Sequence, residues 1–200
     1  MKHFKYFTTT LLLLFVTTVF ANAQTAKISL DKNSGEVIWR GEKVTGKEHH
    51  GTISIKEGML KVKDGELKDV EVTIDMTSIN NQDIDSEKYK KKLEGHLRSD
   101  DFFSVDKYPT AHFKANSVVK SSDKNKYYIE GDLTIKGKTH PIEFDAIFNA
   151  EANSFTASAE VTFDRSKYNV RYGSDSFFDN LGDNMIYDDI ELNIELNDKM

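Results

Sequence analysis

The segment FTASAEVTF, residues 155–163, has apolar and polar side chains in strict alternation. Successive side chains of a β-strand point to opposite faces, so one face of this segment is apolar and the other is polar. IELNIEL, residues 190–196, repeats the pattern, as do residues 72–76 and 142–149. A strand with a single apolar face is typical of antiparallel sheets, because parallel strands buried on both faces read as continuous apolar runs.

Weaker copies of the same alternation fill most of the remaining chain after residue 26. Short polar turns such as Lys63-Asp64-Gly65 and residues 122–125 separate them, which is the habit of hairpins. About eight to ten such strands in one domain form a sandwich or an up-and-down barrel. A barrel has no free edges, and this chain has only two prolines with which to protect edges. We therefore predict an all-β fold, an antiparallel β-barrel of about eight strands.

One segment departs from the alternation and predicts a helix inserted between strands, at about Ser86–Leu97. Asp85 is a candidate N-cap, with Tyr89 placed to form a hydrophobic staple. Tyr89, Leu93 and Leu97 recur every four residues on a lysine-rich background and form a narrow apolar stripe. Such a helix could lie across one mouth of the barrel as a lid, or simply pack against its wall.

Two adjacent phenylalanines, Phe102 and Phe103, follow this helix between charged residues. Neighbouring side chains on a strand point to opposite faces, so both rings cannot be buried by one strand face. We expect a tight turn that drives at least one of the two rings into the core.

Composition excludes several classes of function. The chain of 200 residues has no cysteine, which excludes disulfides, thiol nucleophiles and cysteine-based metal sites. Its net charge of -6 disfavours nucleic-acid binding, which needs clustered positive charge. No nucleophile elbow, phosphate-binding glycine loop or HExxH motif occurs, so we expect no enzyme activity, no cofactor and no metal.

His49 and His50 are the one pair of residues that invites a metal hypothesis. Adjacent residues on a strand point to opposite faces and could chelate one ion only from a loop. We therefore expect these histidines to form hydrogen bonds near a barrel rim.

The N-terminus has the features of a secretory signal peptide over residues 1–23. Two lysines precede an apolar stretch of eleven residues, Leu11–Ala21, and the small-x-small motif Ala-Asn-Ala ends at Ala23. The stretch is too short to span a bilayer as a helix, and an uncleaved anchor is the alternative. We predict cleavage after Ala23 and an exported protein, periplasmic or secreted, in which residues 24–200 form a single domain without a transmembrane segment.

Four motifs resemble the YceI-like family of exported bacterial lipid-binding proteins, in the family's order and spacing. They are HLRSDDFFSVDKYPTAHF (His96–Phe113), GDLTIKGKTHPIEF (Gly131–Phe144), FDRSKYNV (Phe163–Val170) and IELNIEL (Ile190–Leu196). The resemblance implies a lipocalin-like antiparallel barrel with a helix between strands. It also implies a cavity that in some members holds a polyisoprenoid chain, such as a quinone tail or a prenyl lipid.

A barrel of about eight strands is near the size at which its interior is either filled by side chains or open for one ligand. Small residues at inward positions would create the space, namely Ala111, Ala115, Gly131, Ala146, Ala157 and Ala159. The residues that we expect to line this space are Trp39, Ile74, Phe113, Leu133, Phe144, Phe148, Phe155 and Phe163.

Two arginines lie inside the family-like motifs and are candidate contacts for a ligand headgroup. The forked donors of Arg98 or Arg165 could hold a quinone carbonyl or a pyrophosphate at the barrel mouth. The alternative is structural, in which each arginine pairs with an acidic residue nearby and pins a loop. The acids considered for this role are Asp100 and Asp101 for Arg98, and Asp164 and Asp175 for Arg165.

The sequence thus favours a non-enzymatic exported protein that holds a long apolar lipid, such as a polyisoprenoid or quinone, for transport, storage or sequestration. A second hypothesis is an interaction or adhesion module whose barrel is solidly packed and takes no ligand. A third, weaker hypothesis is an enzyme that acts on a lipid in the cavity, for which the sequence offers no inward polar cluster.

Overall fold

A computed structural model describes residues 25–151 and 154–199 of the chain. The predicted signal peptide and its cleavage site after Ala23 lie outside the described residues. The described chain forms nine strands and one α-helix, with these bounds: β1 (Thr25–Leu30), β2 (Gly35–Glu42), β3 (Glu48–Lys63), β4 (Glu66–Asn81), α1 (Glu87–Arg98), β5 (Thr110–Lys120), β6 (Lys126–Ile135), β7 (Lys138–Glu151), β8 (Ser154–Asp164) and β9 (Asp189–Lys199).

Eight of the strands, β2 to β9, close into an antiparallel barrel. The ladder runs from β3 through β2, β9, β8, β7, β6 and β5 to β4, and the pairing of β3 with β4 closes the ring. β1 is an additional strand that pairs with the last residues of β3, beyond the part of β3 that pairs with β2. The prediction of an antiparallel barrel of about eight strands with one inserted helix is confirmed.

The two ends of the barrel differ in how they are filled. We call the end that carries the β3–β4 and β5–β6 turns the hairpin end, and the opposite end, which carries α1, the helix end. At the hairpin end, Tyr127, Phe148 and Phe155 are each at most 2% exposed. The Tyr127 hydroxyl accepts a hydrogen bond of 3.3 Å from the backbone N–H of Leu67, and the Phe148 and Phe155 rings stack with centroids 6.2 Å apart. The hairpin end is therefore solidly packed.

The helix begins one residue later than predicted, with Ser86 rather than Asp85 as its N-cap. Tyr89 is 61% exposed, so the expected hydrophobic staple does not form. Leu97 is buried and anchors the last turn. Glu94 fixes the helix to β4, because its carboxylate accepts a 2.9 Å hydrogen bond from the backbone N–H of Asn81.

The segment after the helix folds back over the barrel, as the paired phenylalanines predicted. Ser104 adopts a left-handed backbone conformation, with φ of 49°, and its N–H bonds to the carbonyl of Ser99. This tight turn leaves Phe102 buried at 7% exposure, while Phe103 is half-buried. The expectation that at least one ring enters the core is confirmed.

At Gly131 the backbone lies very close to neighbouring atoms, whereas we expected this glycine to leave space in the cavity. A Cβ atom there would lie 2.6 Å from the Phe113 ring and 2.5 Å from the Lys114 carbonyl oxygen. The Phe113 ring therefore covers the position that the missing side chain leaves free.

Replacing Gly131 by alanine should destabilise the protein by about 1–3 kcal/mol, because the added methyl group overpacks a tight site. Gly95→Ala is the matched control. Its Cβ would meet nothing within 4 Å, and it lies inside α1, so alanine should stabilise by about 0.5–1 kcal/mol. Urea unfolding of both variants measures the difference. Equal free energies of unfolding for the two variants would contradict the close approach.

Candidate ligand-binding cavity

The interior of the barrel contains a cavity of about 270 Å³. Its lining consists almost entirely of aliphatic and aromatic side chains from the barrel strands, α1 and the loops at the helix end. Among the described residues that line it, none is an aspartate, glutamate, lysine or arginine. The cavity is therefore suited to an apolar guest and offers no charged partner.

Several inward side chains of the strands retain exposed surface, although the alternation directs them away from the outside. Ile74, Phe113, Phe144 and Leu192 are all half-buried and all line the cavity. Their exposed surface faces the void, so a guest that filled it would remove that apolar area from water.

The structure brings seven of the eight predicted lining residues to the cavity. These are Trp39, Ile74, Phe113, Leu133, Phe144, Phe148 and Phe163. Phe155 points inward like the others but lies in the packed hairpin end, 1% exposed. Their contact with a ligand stays a prediction. Of the small residues, Ala111, Ala146, Ala157 and Ala159 line the cavity, whereas Ala115 and Gly131 do not.

Trp39 is the single tryptophan of the chain, and its position is fixed by two contacts. The indole N–H donates to the Thr52 carbonyl oxygen at 3.2 Å. The ring lies against Gly51, where a Cβ atom would come within 2.8 Å of it. An indole held in the wall of the cavity is a built-in fluorescent reporter of what enters.

Three aromatic rings cover the helix end, and we call them the aromatic cap. They belong to His96, Phe102 and Tyr172, with centroid distances of 5.0 Å between His96 and Phe102 and 4.4 Å between His96 and Tyr172. Phe102 and Tyr172 complete the triangle at 5.4 Å. Phe102 lines the cavity at the helix end, so the aromatic cap forms the roof of the cavity, which closes that end.

Arg165 supports this roof from a buried position, at 1% exposure. Its guanidinium donates to four backbone carbonyls, those of Val170, Tyr172, Ile186 and Tyr187, at 2.9–3.1 Å. Burial lowers the pKa of Arg165, and the nearby charge of Asp188 opposes that shift.

The acid that pairs with Arg165 is Asp188, at 3.1 Å, rather than Asp164 or Asp175 as considered from the sequence. Asp188 is in turn bonded by the hydroxyls of Ser174 and Ser176. Arg165 does not line the cavity. Its bonds tie the loop between β8 and β9 together, and a headgroup role for it stays a prediction without a structural counterpart.

Arg98 also bonds elsewhere than expected. One of its terminal nitrogens donates to the Ile79 carbonyl, and the other lies 4.0 Å from Glu94, one helical turn earlier. Asp100 pairs with Lys107 at 2.8 Å instead. The long side chain of a helical residue projects toward the N-terminus of the helix, which carries Arg98 toward Glu94 and away from the acids that follow it.

Some residues at the site were not identified from the sequence as part of it. His49 lines the cavity near the helix end, and its Nδ1 lies 2.7 Å from the Asp83 carboxylate, a rim hydrogen bond of the expected kind. The other oxygen of Asp83 accepts from the backbone N–H of His50. Tyr172, in the aromatic cap, lies in a loop whose polar sequence carries no periodic signal.

Two further observations concern the described ranges 25–151 and 154–199. No group of three histidine or acidic side chains there is arranged to hold a metal ion. No helix in these ranges is long and apolar enough to cross a membrane.

Comparison with known proteins identifies the family. The profile of the YceI-like domain matches residues 28–197, and the chain belongs to that family. A "UPF0312 protein" of Pseudomonas putida is 30% identical over 131 residues, 64% of this chain and 65% of that protein. "Protein YceI" of Escherichia coli O157:H7 is 36% identical over 102 residues, 51% of this chain and 46% of the relative. The matched regions thus span about half to two thirds of these relatives.

Solved structures share the fold at low sequence identity. BcnA of Burkholderia cenocepacia superposes with a TM-score of 0.65 at 20% identity, covering 84% of this chain and 99% of its own. A polyisoprenoid binding domain from Saccharophagus degradans, implicated in plant cell wall breakdown, has a TM-score of 0.61 at 14% identity, covering 88% and 99%. These likenesses show the same barrel fold in both solved structures.

Arg165→Lys should lower the free energy of unfolding by about 2–4 kcal/mol. The lysine keeps the charge, but one ammonium cannot replace a planar fork that reaches four buried carbonyls. Arg171→Lys is the control, because Arg171 is exposed and lies over the Phe177 ring at 4.7 Å. Chemical unfolding followed by circular dichroism measures both. A stability for Arg165→Lys equal to that of the control would show that the buried fork is dispensable.

Proposed function

We propose that this protein is an exported, non-enzymatic lipid-binding protein that holds a long apolar chain of isoprenoid or quinone type inside its barrel. The observation that carries the proposal is the cavity of about 270 Å³ with no charged residue in its described lining. A solved relative of the same fold, the Saccharophagus degradans domain, is described as polyisoprenoid binding. Transport, storage and sequestration are all compatible with such a site.

The apolar lining sets a minimum length for the guest. At about 0.8 kcal/mol per buried CH₂, one isoprene unit of five carbons would gain about 4 kcal/mol. Association costs about 4–15 kcal/mol in lost freedom, so one unit would barely bind and two or three units would be needed. Ligand pockets commonly measure about 300–1,000 Å³, so this cavity encloses a few isoprene units of a long chain and leaves the remainder of the chain outside.

The groups at the cavity support binding rather than catalysis. The polar side chains on its lining belong to Trp39, His49 and Ser158. The indole N–H of Trp39 is bonded to a carbonyl, and His49 is paired with Asp83. A general acid or base must lie within hydrogen-bond reach of the reacting atoms, and His49 is the one titratable side chain on the described lining, with no second acid–base group lining the cavity beside it.

The chain as a whole is consistent with an exported single domain. The family profile spans residues 28–197, which is nearly all of the predicted mature chain 24–200. We propose cleavage after Ala23 and a periplasmic or secreted location. N-terminal sequencing of the protein recovered from the periplasm tests the cleavage site, and a start other than Gln24 would overturn it.

The direct test is extraction of protein purified under native conditions from a bacterial periplasm, followed by mass spectrometry of the organic phase. A stoichiometric prenyl lipid or quinone would support the proposal. Another amphiphile would keep lipid binding and reject the isoprenoid. Protein that is free of lipid and also fails to take up added decylubiquinone or farnesol would overturn lipid binding altogether.

Ala157→Phe should weaken the binding of decylubiquinone at least tenfold, because Ala157 lines the cavity and a phenyl ring would occupy space that the guest needs. Thr156→Phe adds the same ring to the adjacent, outward position and should leave affinity unchanged. Quenching of Trp39 fluorescence by the quinone measures both. Equal affinities for the two variants would place the quinone outside the barrel.

A further inference from the structure

The wall of the barrel is not continuous between β7 and β8. These strands pair only from Ala146 opposite Ala159 down to Glu151 opposite Ser154, at the hairpin end. Residues 138–145 of β7 pair with β6, and residues 160–164 of β8 pair with β9, but these two segments do not pair with each other. We call the space between them the β7–β8 gap.

The sequence beside the gap is unfavourable for further strand pairing. Continuing the register by one residue would place Asp145 directly opposite Glu160, and like charges in facing positions destabilise a strand pair. Further along β7 lies Pro141, which has no N–H to donate and is confined in sheets to edges, strand starts or bulges. Residues 138–145 of β7 therefore have the composition of an edge strand.

The cavity reaches this gap. Ile142 and Phe144 of β7 line the cavity and are half-buried. Ile147 and Ser158 also line it, although they alternate with the inward residues and Ile147 is 45% exposed. Ile147 and Ser158 are the ladder pair next to Ala146 and Ala159, so residues of both faces border the void close to the point where the ladder stops.

The β4–β5 ladder is also incomplete, but side chains close the space there, unlike at the β7–β8 gap. β4 and β5 pair only over Glu71–Asp75 and residues 110–114. Below that point Lys120 bonds to Glu66 at 2.8 Å, and the lysines around Glu66 hold its pKa at about 2. Tyr127 fills the interior there and bonds to Leu67. No described side-chain hydrogen bond or ion pair joins residues 138–145 to residues 160–164 in the same way.

The other routes into the cavity are obstructed. Tyr127, Phe148 and Phe155 pack the hairpin end, and the aromatic cap with α1 covers the helix end. Toward the helix end, the gap is bounded by an edge-to-face contact of the His140 ring with the Tyr168 ring, whose centroids are 5.3 Å apart. Toward the hairpin end, the gap ends at the last ladder pair, Ala146 with Ala159.

We propose that the β7–β8 gap is the portal through which an apolar chain enters and leaves the cavity sideways, which rests on the proposed lipid-binding function. The chain slides past Phe144, on the helix-end side of the last ladder pair of Ala146 with Ala159, and the residues at the gap separate without breaking a strand ladder. Its polar end stays at the outer surface, because the cavity lining has no group to neutralise a charge.

The outer rim of this portal selects against anionic headgroups. Glu143, Asp145 and Glu160 are all exposed and flank the gap. The lysine opposite Ile147, Lys126, lies below it. Three carboxylates repel a phosphate at short range, so the portal admits chains with an uncharged head, such as an alcohol or a quinone.

The portal can be closed reversibly with two introduced cysteines, because the chain has none of its own. In Asp145→Cys/Glu160→Cys, the thiols are joined directly or through a short bis-methanethiosulfonate linker. Asn149→Cys/Thr156→Cys is the control, since those residues already face each other in the β7–β8 ladder. Stopped-flow quenching of Trp39 fluorescence by decylubiquinone gives uptake rates, and displacement by excess farnesol gives release rates.

Linking across the gap should slow uptake and release at least tenfold, and reductant should restore both rates. The linked control should exchange at the rate of its reduced form. Equal rates for the linked and reduced gap variant would overturn the portal alone and direct the ligand to the helix end. Absence of quenching in the unlinked protein would overturn the proposed function itself.

The charged rim is tested by a pair of ligands with the same chain. When empty protein is mixed with decylubiquinone and a competitor at low salt, farnesol should occupy the cavity several-fold faster than farnesyl phosphate does, as measured by the initial loss of quinone quenching. The difference should shrink as salt is added, because exposed charges are screened over about 10 Å at 0.1 M. Equal association rates for the two ligands at low salt would overturn the selection against anions.

Discussion

Closure of the barrel between β3 and β4 is the constraint on which the rest of the structure depends. β3 carries the extra strand β1 and the barrel strand β2 in succession on one side, and β4 on the other. It fits both sides through irregularities in register near Thr52 and Ile55, as bulges allow a strand to bend. Once the ring is closed, each strand with alternating side chains has one face inside the barrel and one face in water. The apolar side chains of the alternation occupy the inner face and form the barrel interior.

The position of the cavity follows from side-chain size along this inner face. At the hairpin end, the rings of Tyr127 and Phe155 each pack against the ring of Phe148, with centroids 6.2 Å apart. Toward the helix end, the inward positions of β8 next to Phe155 are Ala157 and Ala159, and both small side chains line the cavity. The loops then cover the void, held by Arg165 and its four carbonyl partners. The same chain thus builds a packed base, a hollow middle and a roof.

The strands, the helix and the inward faces were predictable from the sequence, because each depends on local periodicity. The position of each inward residue along the barrel axis was not predictable from the sequence. Phe148 and Phe155 share the inner face, yet Phe148 borders the cavity and Phe155 does not. The partner of Arg165 was missed because Asp188 lies at the far end of the β8–β9 loop, and sequence distance favoured Asp164 and Asp175. The gap beside Asp145 and Glu160 could not be predicted, because that requires the pairing register of β7 and β8, which the alternation of side chains does not give.

The central claim is that the barrel interior is a binding site for an apolar chain. A crystal structure of the protein grown with a bromine-labelled prenyl alcohol tests it most directly, because the anomalous signal locates the chain without reference to the protein. The account predicts a bromine peak inside the barrel, among the side chains of Trp39, Phe113 and Phe144. A signal found only on the outer surface, with the interior unchanged, would contradict it.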